Sequence, residues 1–257
     1  MNMNILGIIP ARYASTRFPG KPLAMIGDKP MIQWVWEGVS RIEELSHVVV
    51  ATDDERIYRC VKAFGGNVMM TGTHHRSGTD RCGEVLQRMG SDANQYDVVI
   101  NIQGDEPRVA ASQIATLAHC FDNPDIEIAT LKKRITDSES LFSPNCVKVT
   151  TDLQGNAICF SRHPIPYLRG VEQAQWMDRY AYFKHIGVYA FRLSTLQRVM
   201  TFSPTPIEQA ESLEQMRWLE NGLRIAVRET DIENIAIDTP DDLQHLLSSM
   251  KTNNAIN

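Results

Sequence analysis

Short apolar-rich runs over 5–9, 47–51, 68–70 and 97–102 recur through the amino-terminal part of the chain, and between them the hydrophobic spacing changes to a helical one. Such runs are too short for ordinary helices and carry no polar face. A strand apolar on both sides has to be covered on both sides, and parallel neighbours need a crossover between them. The alternation therefore predicts a parallel sheet with helices on both faces. Helices are expected over 30–39, from an Asp53 or Asp54 cap through Ile57, Val61 and Phe64 to a stop at Gly65-Gly66, and over 77–88.

The second half is less regular. Residues 147–150 and 157–160 flank a turn at 152–156 and read as an antiparallel hairpin. A proline-rich segment, Ser161 to Tyr167, follows. Residues 185–191 alternate as a strand would, and Pro206 to Leu219 reads as one helix stopped by Asn221-Gly222. The expectation is a single α/β domain over 1–250, with an inserted β-rich subdomain at about 140–205 and a polar tail over 251–257.

With 257 residues, 43% hydrophobic and 22% charged, the chain has the composition of a soluble globule. No apolar stretch approaches the ~20 residues that span a bilayer, and no basic segment leads into an apolar core at the amino terminus, so a cytoplasmic protein with no membrane partner is expected. A net charge of −5 without a basic stripe argues against nucleic acid as a partner. The five cysteines form no C-x-x-C pair, which suits reduced thiols.

Local cations in an acidic chain need a local purpose. Arg12, Arg17 and Lys21 follow the first strand in a loop stiffened by Pro19, Gly20 and Pro22, where open α/β sheets bind ligands. This is a candidate anion site. The fourth strand leads into Gln103-Gly104-Asp105-Glu106-Pro107, whose carboxylate suits Mg2+, although Gly, Asp and Pro also make an ordinary turn. A strand ending at Ile237 would bring Asp238 to the same edge, just before a helix start at Thr239-Pro240 with Asp242 as its reciprocal acid. Ser77, Gly78 and Thr79 offer amides at a helix start, with Arg81 one turn on, and capping explains Ser77 equally well. The adjacent His74 and His75 have no well-spaced third ligand in sequence.

The ordered set Pro10-Ala11-Arg12 through Lys21-Pro22-Leu23, Ala51-Thr52-Asp53-Asp54, Ser77-Gly78-Thr79-Asp80-Arg81, Gln103-Gly104-Asp105-Glu106-Pro107, Ser161-Arg162-His163-Pro164-Ile165-Pro166, Lys184-His185-Ile186-Gly187-Val188-Tyr189 and Glu211-Ser212-Leu213-Glu214-Gln215 resembles the 3-deoxy-manno-octulosonate cytidylyltransferase family. The first loop is shared by sugar nucleotidyltransferases at large; the later segments are more specific. Ala14 departs from the pattern, which often has glycine there.

The resemblance implies a Rossmann-like three-layer sandwich of the nucleotide-diphospho-sugar transferase type, with the inserted subdomain pairing two subunits in a homodimer. It implies transfer of CMP from CTP to the anomeric 2-hydroxyl of 3-deoxy-manno-octulosonate (Kdo), a lipopolysaccharide sugar, with Mg2+. Ala11, Arg12, Ser15, Arg17, Lys21, Ser77, Gly78 and Arg81 would bind the nucleotide, and Lys21 and Arg12 would act on the transferred phosphate. Asp105 and Asp238 would hold the metal. Gln103, Arg162, His185, Tyr189, Glu214 and Gln215 would take the sugar, with Arg162 matched to its carboxylate and Glu211 an alternative to Glu214. By type alone, Arg162 is also an ordinary loop arginine, His185 a core-edge histidine and Glu214 a solvated helix residue. The rivals are a cytidylyltransferase for sialic acid or 8-amino-Kdo, and a nucleotide-binding regulator without chemistry.

Overall fold

The computed structural model describes residues 3–15, 17–107, 109–233 and 237–254. The chain forms two compact units, Met1–Ala111 with Asn234–Asn257, and Ser112–Glu233.

In the first unit the strands are β1 (Ile5–Ala11), β2 (Met25–Ile26), β3 (Lys29–Pro30), β4 (His47–Thr52), β5 (Val68–Met70) and β6 (Val98–Asn101). β2 and β3 form a small antiparallel pair. The others run parallel in the order β6-β1-β4-β5, as the apolar runs predict. The apolar run over 5–9 ends at Pro10, which predicts that the strand stops there, yet β1 continues through it to Ala11. Ile8 and Pro10 face the same side, and the ladder with β6 ends at the Ile8–Asn101 pair. The N–H that proline lacks is therefore not needed, while pairing with β4 continues to Ala11–Thr52.

The helices of this unit begin as their caps dictate. Met31–Val39 buries Met31, Ile32, Val35 and Val39. Glu55–Ala63 starts at Asp54, whose carboxylate accepts the Arg56 N–H at 2.9 Å. Gly78–Met89 opens on a reciprocal capping box between Ser77 and Asp80. Pro240–Asn254 is capped by Thr239 and Asp242, and its Leu243 and Leu246 pack with Ile26, Met31 and Ile237. The strand expected to end at Ile237 falls largely on residues 234–236, outside the described ones.

The second unit contains β7 (Ile128–Arg134), β8 (Lys148–Thr151), β9 (Ala157–Ser161), β10 (Phe183–Arg192) and β11 (Ile225–Glu229). β11 lies parallel to β7; β10 is antiparallel to both β7 and β8, and β8 to β9. The stretch at about 140–205 lies within this unit. The helix expected over 206–219 is two helices, Pro206–Glu211 and Glu214–Glu220. Ser212 breaks it with a left-handed φ of 51°, while the Glu208–Arg217 ion pair spans the break. Apolar spacing carries on across that residue, so periodicity alone does not reveal it.

Candidate active site

Where β1 and β6 end, the first unit holds a cavity of about 350 Å3. Its lining includes every residue expected to bind nucleotide or metal: Ala11, Arg12, Ser15, Arg17, Lys21, Ser77, Gly78, Arg81, Asp105 and Asp238, with Gln103 beside them. His75, Arg76 and Gly104, to which sequence reading gave no ligand contact, also line it.

The cation loop is shaped by its backbone. Gly20 takes φ +71°, and a Cβ there would meet the Tyr13 ring at 2.9 Å, so only glycine closes the turn. Its N–H and that of Ser15 both donate to the Tyr13 carbonyl at 2.9 Å. The Arg56 guanidinium stacks on the Tyr13 ring, 3.3 Å from its centre. Among described residues Ser212 is the one non-glycine with positive φ, so Ala14 sits in the loop without that strain.

Lys21 Nζ lies 2.7 Å from Asp105 Oδ2 and 3.2 Å from Asp238 Oδ1, and Arg17 reaches Asp238 Oδ2 at 2.9 Å. Two carboxylates from distant segments thus converge on one cationic point. The Ile237 N–H donates to the Asp105 carbonyl at 3.0 Å and ties the two segments together. A Cβ on Gly104 would lie 2.7 Å from the Pro10 carbonyl oxygen, so the Asp105 turn rests directly on the backbone of β1. This donor set, two partly exposed carboxylates and no nitrogen or sulfur, fits a hard cation such as Mg2+.

On the opposite wall, Ser77 is engaged as the helix cap. A Cβ on Gly78 would press the Asn101 amide at 3.2 Å, so glycine lets the helix start approach the end of β6. Arg81 is buried, and donates to Asp53 Oδ2 at 2.7 Å, Thr71 Oγ1 at 2.5 Å and the Gly72 carbonyl at 3.2 Å. Its guanidinium is thereby a strut of the wall, anchored by Asp53, while Asp54 does the capping. Ligand atoms of His74, His75 and Glu84 lie within 4.8 Å of one another. Against the desolvation that burial imposes, the Gly72 N–H, His75 and Arg88 hold the Glu84 carboxyl at about 2. That carboxylate is engaged in fixing the loop ahead of Ser77.

The remaining residues expected at the sugar lie in the second unit. Arg162 donates from Nε to the Glu211 carbonyl at 2.7 Å, and from its two terminal nitrogens to the carbonyls of Pro144 at 2.9 Å and Ser212 at 3.3 Å. The Glu211 carboxylate accepts from Ser161 Oγ at 2.7 Å and the Arg162 N–H at 2.9 Å. Glu211 and Gln215, on separate helices, do not share a helical face. Behind them Lys148, fully buried, donates to the carbonyls of Ser143, Cys146 and Arg162 at 2.8, 2.6 and 2.5 Å. Burial pushes its ammonium pKa down. No motif announces Lys148; only its place in an apolar strand is anomalous.

His185 is half-buried, its ring between those of Phe160 and Tyr189 at centroid distances of 5.1 and 5.2 Å. Desolvation pushes its pKa to about 3, so the ring is neutral at physiological pH. Burial, and secondarily the Glu214 charge, push the Tyr189 phenol well above its ordinary value, and its Oη has no hydrogen-bond partner among the described residues. Such an orphan suits a site completed by a polar ligand. Glu214 opens the helix Glu214–Glu220, and Gln215 beside it is buried.

A cytidylyltransferase family model matches residues 6–225. Curated relatives named 3-deoxy-manno-octulosonate cytidylyltransferase include one from Phocaeicola vulgatus, 51% identical with 97% of this chain and 98% of the relative covered, and one from Geobacter sulfurreducens, 46% identical with 97% and 100% covered. The chain belongs to the 3-deoxy-manno-octulosonate cytidylyltransferase family. A solved structure of CMP:2-keto-3-deoxy-manno-octonic acid synthetase complexed with CTP superposes with a TM-score of 0.88 at 39% identity, covering 97% of this chain and 99% of that one. A 4-diphosphocytidyl-2C-methyl-D-erythritol synthase from Anaerococcus prevotii, with a TM-score of 0.62 and 14% identity over 97% of both chains, shares the fold. The mixed α/β architecture with a parallel sheet in the first unit is thus that of the 3-deoxy-manno-octulosonate cytidylyltransferases, as the sequence resemblance implied. No helix among the described residues is long and apolar enough to cross a membrane.

Proposed function

We propose that this chain transfers CMP from CTP to the anomeric 2-hydroxyl of Kdo, releasing pyrophosphate, with Mg2+ held by Asp105 and Asp238. The convergence of both carboxylates on Lys21 within a cation-lined cavity carries the reading, together with the family. Arg12, Arg17 and Lys21 take the triphosphate, and Ser77, Gly78 and the Arg81-braced wall take the nucleoside. Held by Asp105 and Asp238, the metal would supply Lewis-acid polarisation of the α-phosphate.

The sugar hydroxyl must approach a phosphorus ringed by negative oxygens. Before the nucleotide arrives, Lys21 and Arg17 are paired with the two aspartates; with it, they turn to phosphate oxygens. Lys21 then offsets charge growing on the α-phosphate and on the departing pyrophosphate, and Arg12 steadies the same group. The hydroxyl oxygen forms the new P–O bond, the bond to the β-phosphate oxygen breaks, and the hydroxyl proton leaves to solvent or a nearby carboxylate. No covalent enzyme intermediate is needed.

Gln103, His185, Tyr189, Glu214 and Gln215 supply hydrogen bonds to the sugar. Arg162 shapes their surroundings by clamping three carbonyls. A homodimer is part of the proposal. The exposed Leu153, Ile158 and Tyr167 of the 140–205 stretch support it, because a large apolar side chain left in water gains by burial against a second copy. A cytoplasmic setting fits the use of CTP.

Pyrophosphate release with CTP plus Kdo, compared with CTP plus sialic acid and CTP plus 8-amino-Kdo, tests the reading. Preference for Kdo is expected. Preference for another acidic sugar overturns the substrate while keeping the class, and CTP binding without turnover of any of them leaves a regulator.

A further inference from the structure

Thr130, on β7, is fully buried opposite the irregularity in β10, where the register passes from the Ile186–Leu131 pair to the Tyr189–Thr130 pair. Its hydroxyl lies 2.7 Å from the Val188 carbonyl oxygen, 3.2 Å from the Ile186 carbonyl oxygen and 3.0 Å from His185 Nε2. A hydroxyl owns one hydrogen, and both carbonyls can only accept. Aiming that hydrogen at the imidazole would leave the oxygen's lone pairs facing two carbonyl oxygens in a dry interior. The stable arrangement donates it to Val188, so the hydroxyl accepts from His185.

We propose that Thr130 is a positioning residue that locks His185 in the Nε2–H tautomer and makes Nδ1 a pure hydrogen-bond acceptor for a hydroxyl of the sugar. This rests on the functional reading above only in naming the sugar. His185 makes no hydrogen bond through Nδ1 among the described residues, and its enclosure between Phe160 and Tyr189 keeps it neutral. A bare ring nitrogen rejects carboxylate and phosphate oxygens, which bring no hydrogen, and accepts a group that does. The strand irregularity thus does two things at once: its carbonyls orient Thr130, and Thr130 orients His185.

Ring-nitrogen correlation spectra of histidine-labelled protein, with the His185 signals assigned by their loss in His185→Gln, are expected to show a neutral ring protonated at Nε2. An Nδ1–H tautomer or an imidazolium at neutral pH would overturn the proposal. Thr130→Val should give a tautomer mixture and raise KM for Kdo about tenfold, the worth of one neutral hydrogen bond, with KM for CTP unchanged. Thr130→Ser should restore both the single tautomer and the KM. An unaltered tautomer in Thr130→Val, or a Thr130→Ser protein that folds but loses the lock, would sink it. If Thr130→Val does not fold, the wild-type and Thr130→Ser spectra decide alone. A locked Nε2–H ring in a protein inactive on Kdo would retire the functional reading and leave the tautomer assignment standing.

Discussion

At the residues expected to meet ligand, the two units handle polar groups in opposite ways. In the first, charges meet charges at a partly open surface: Lys21 and Arg17 against Asp105 and Asp238. In the second, His185, Arg162 and Lys148 are held by a hydroxyl or by backbone carbonyls: His185 on Thr130, Arg162 and Lys148 on six carbonyl contacts between them. An exposed ion cluster exchanges partners readily, which suits a triphosphate that must be held and then split. Buried, directional hydrogen bonds exchange poorly and suit recognition of one sugar's stereochemistry.

That contrast can be broken most forcefully at Asp105 and Asp238, the carboxylates proposed to hold Mg2+. Asp105→Asn and Asp238→Asn should each lower kcat about 10^2 to 10^3-fold at fixed Mg2+, measured by pyrophosphate release, and chelation should silence the wild type. Near-normal turnover in either variant would remove the metal pair from the site. Next, Lys21→Met should cost about 10^2-fold in kcat with a smaller rise in KM for CTP, because its charge matters most when the bond breaks. A change in KM alone would make Lys21 a ground-state anchor.

The second unit should instead respond in stability. Lys148→Met strips three carbonyls of their donor and should lower the unfolding free energy by about 2 kcal/mol in denaturant titrations. His185 sets a pH dependence. Its folded pKa, about 3, lies below the unfolded value near 6.5, so its share of stability is present above 6.5 and is lost as pH falls toward 3. Between pH 6.5 and 5.5 the wild type should therefore lose about 1 kcal/mol more than His185→Gln. Equal slopes would mean the ring is solvated. The smallest effect sharpens the first unit: Ser77→Ala should cost about 0.5 to 1 kcal/mol of stability and scarcely move KM for CTP if Ser77 serves the helix before it serves the nucleotide.

What was legible in the sequence follows the same division. The parallel strands of the first unit are short apolar runs with nothing else they can become, and Gly20, Gly104 and Pro19 punctuate the site loops, so the cavity's residues could be named by position. Arg81 was placed at the ligand because an arginine beside a helix start invites it; that Asp53 and Thr71 take its donors is a tertiary fact. In the second unit, β7 turns from apolar residues to Lys132 and Lys133, and a strand half-buried in this way hides its pattern. Lys148 and Thr130 are invisible for a different reason. Their partners are backbone carbonyls and a ring nitrogen, which leave no trace in residue type.

Ser212 acts beyond its own turn. By turning left-handed it sets Glu211 to serve the structure and frees the helix that Glu214 opens to take its own direction. Three residues apart in the chain, the two acids then answer to different constraints. With Glu214 and Gln215 at the sugar, as proposed, substitutions there would re-tune which sugar is accepted while the Glu211 clamp holds the scaffold still, so a single hinge residue would make specificity separable from foldability, and open to change by small steps.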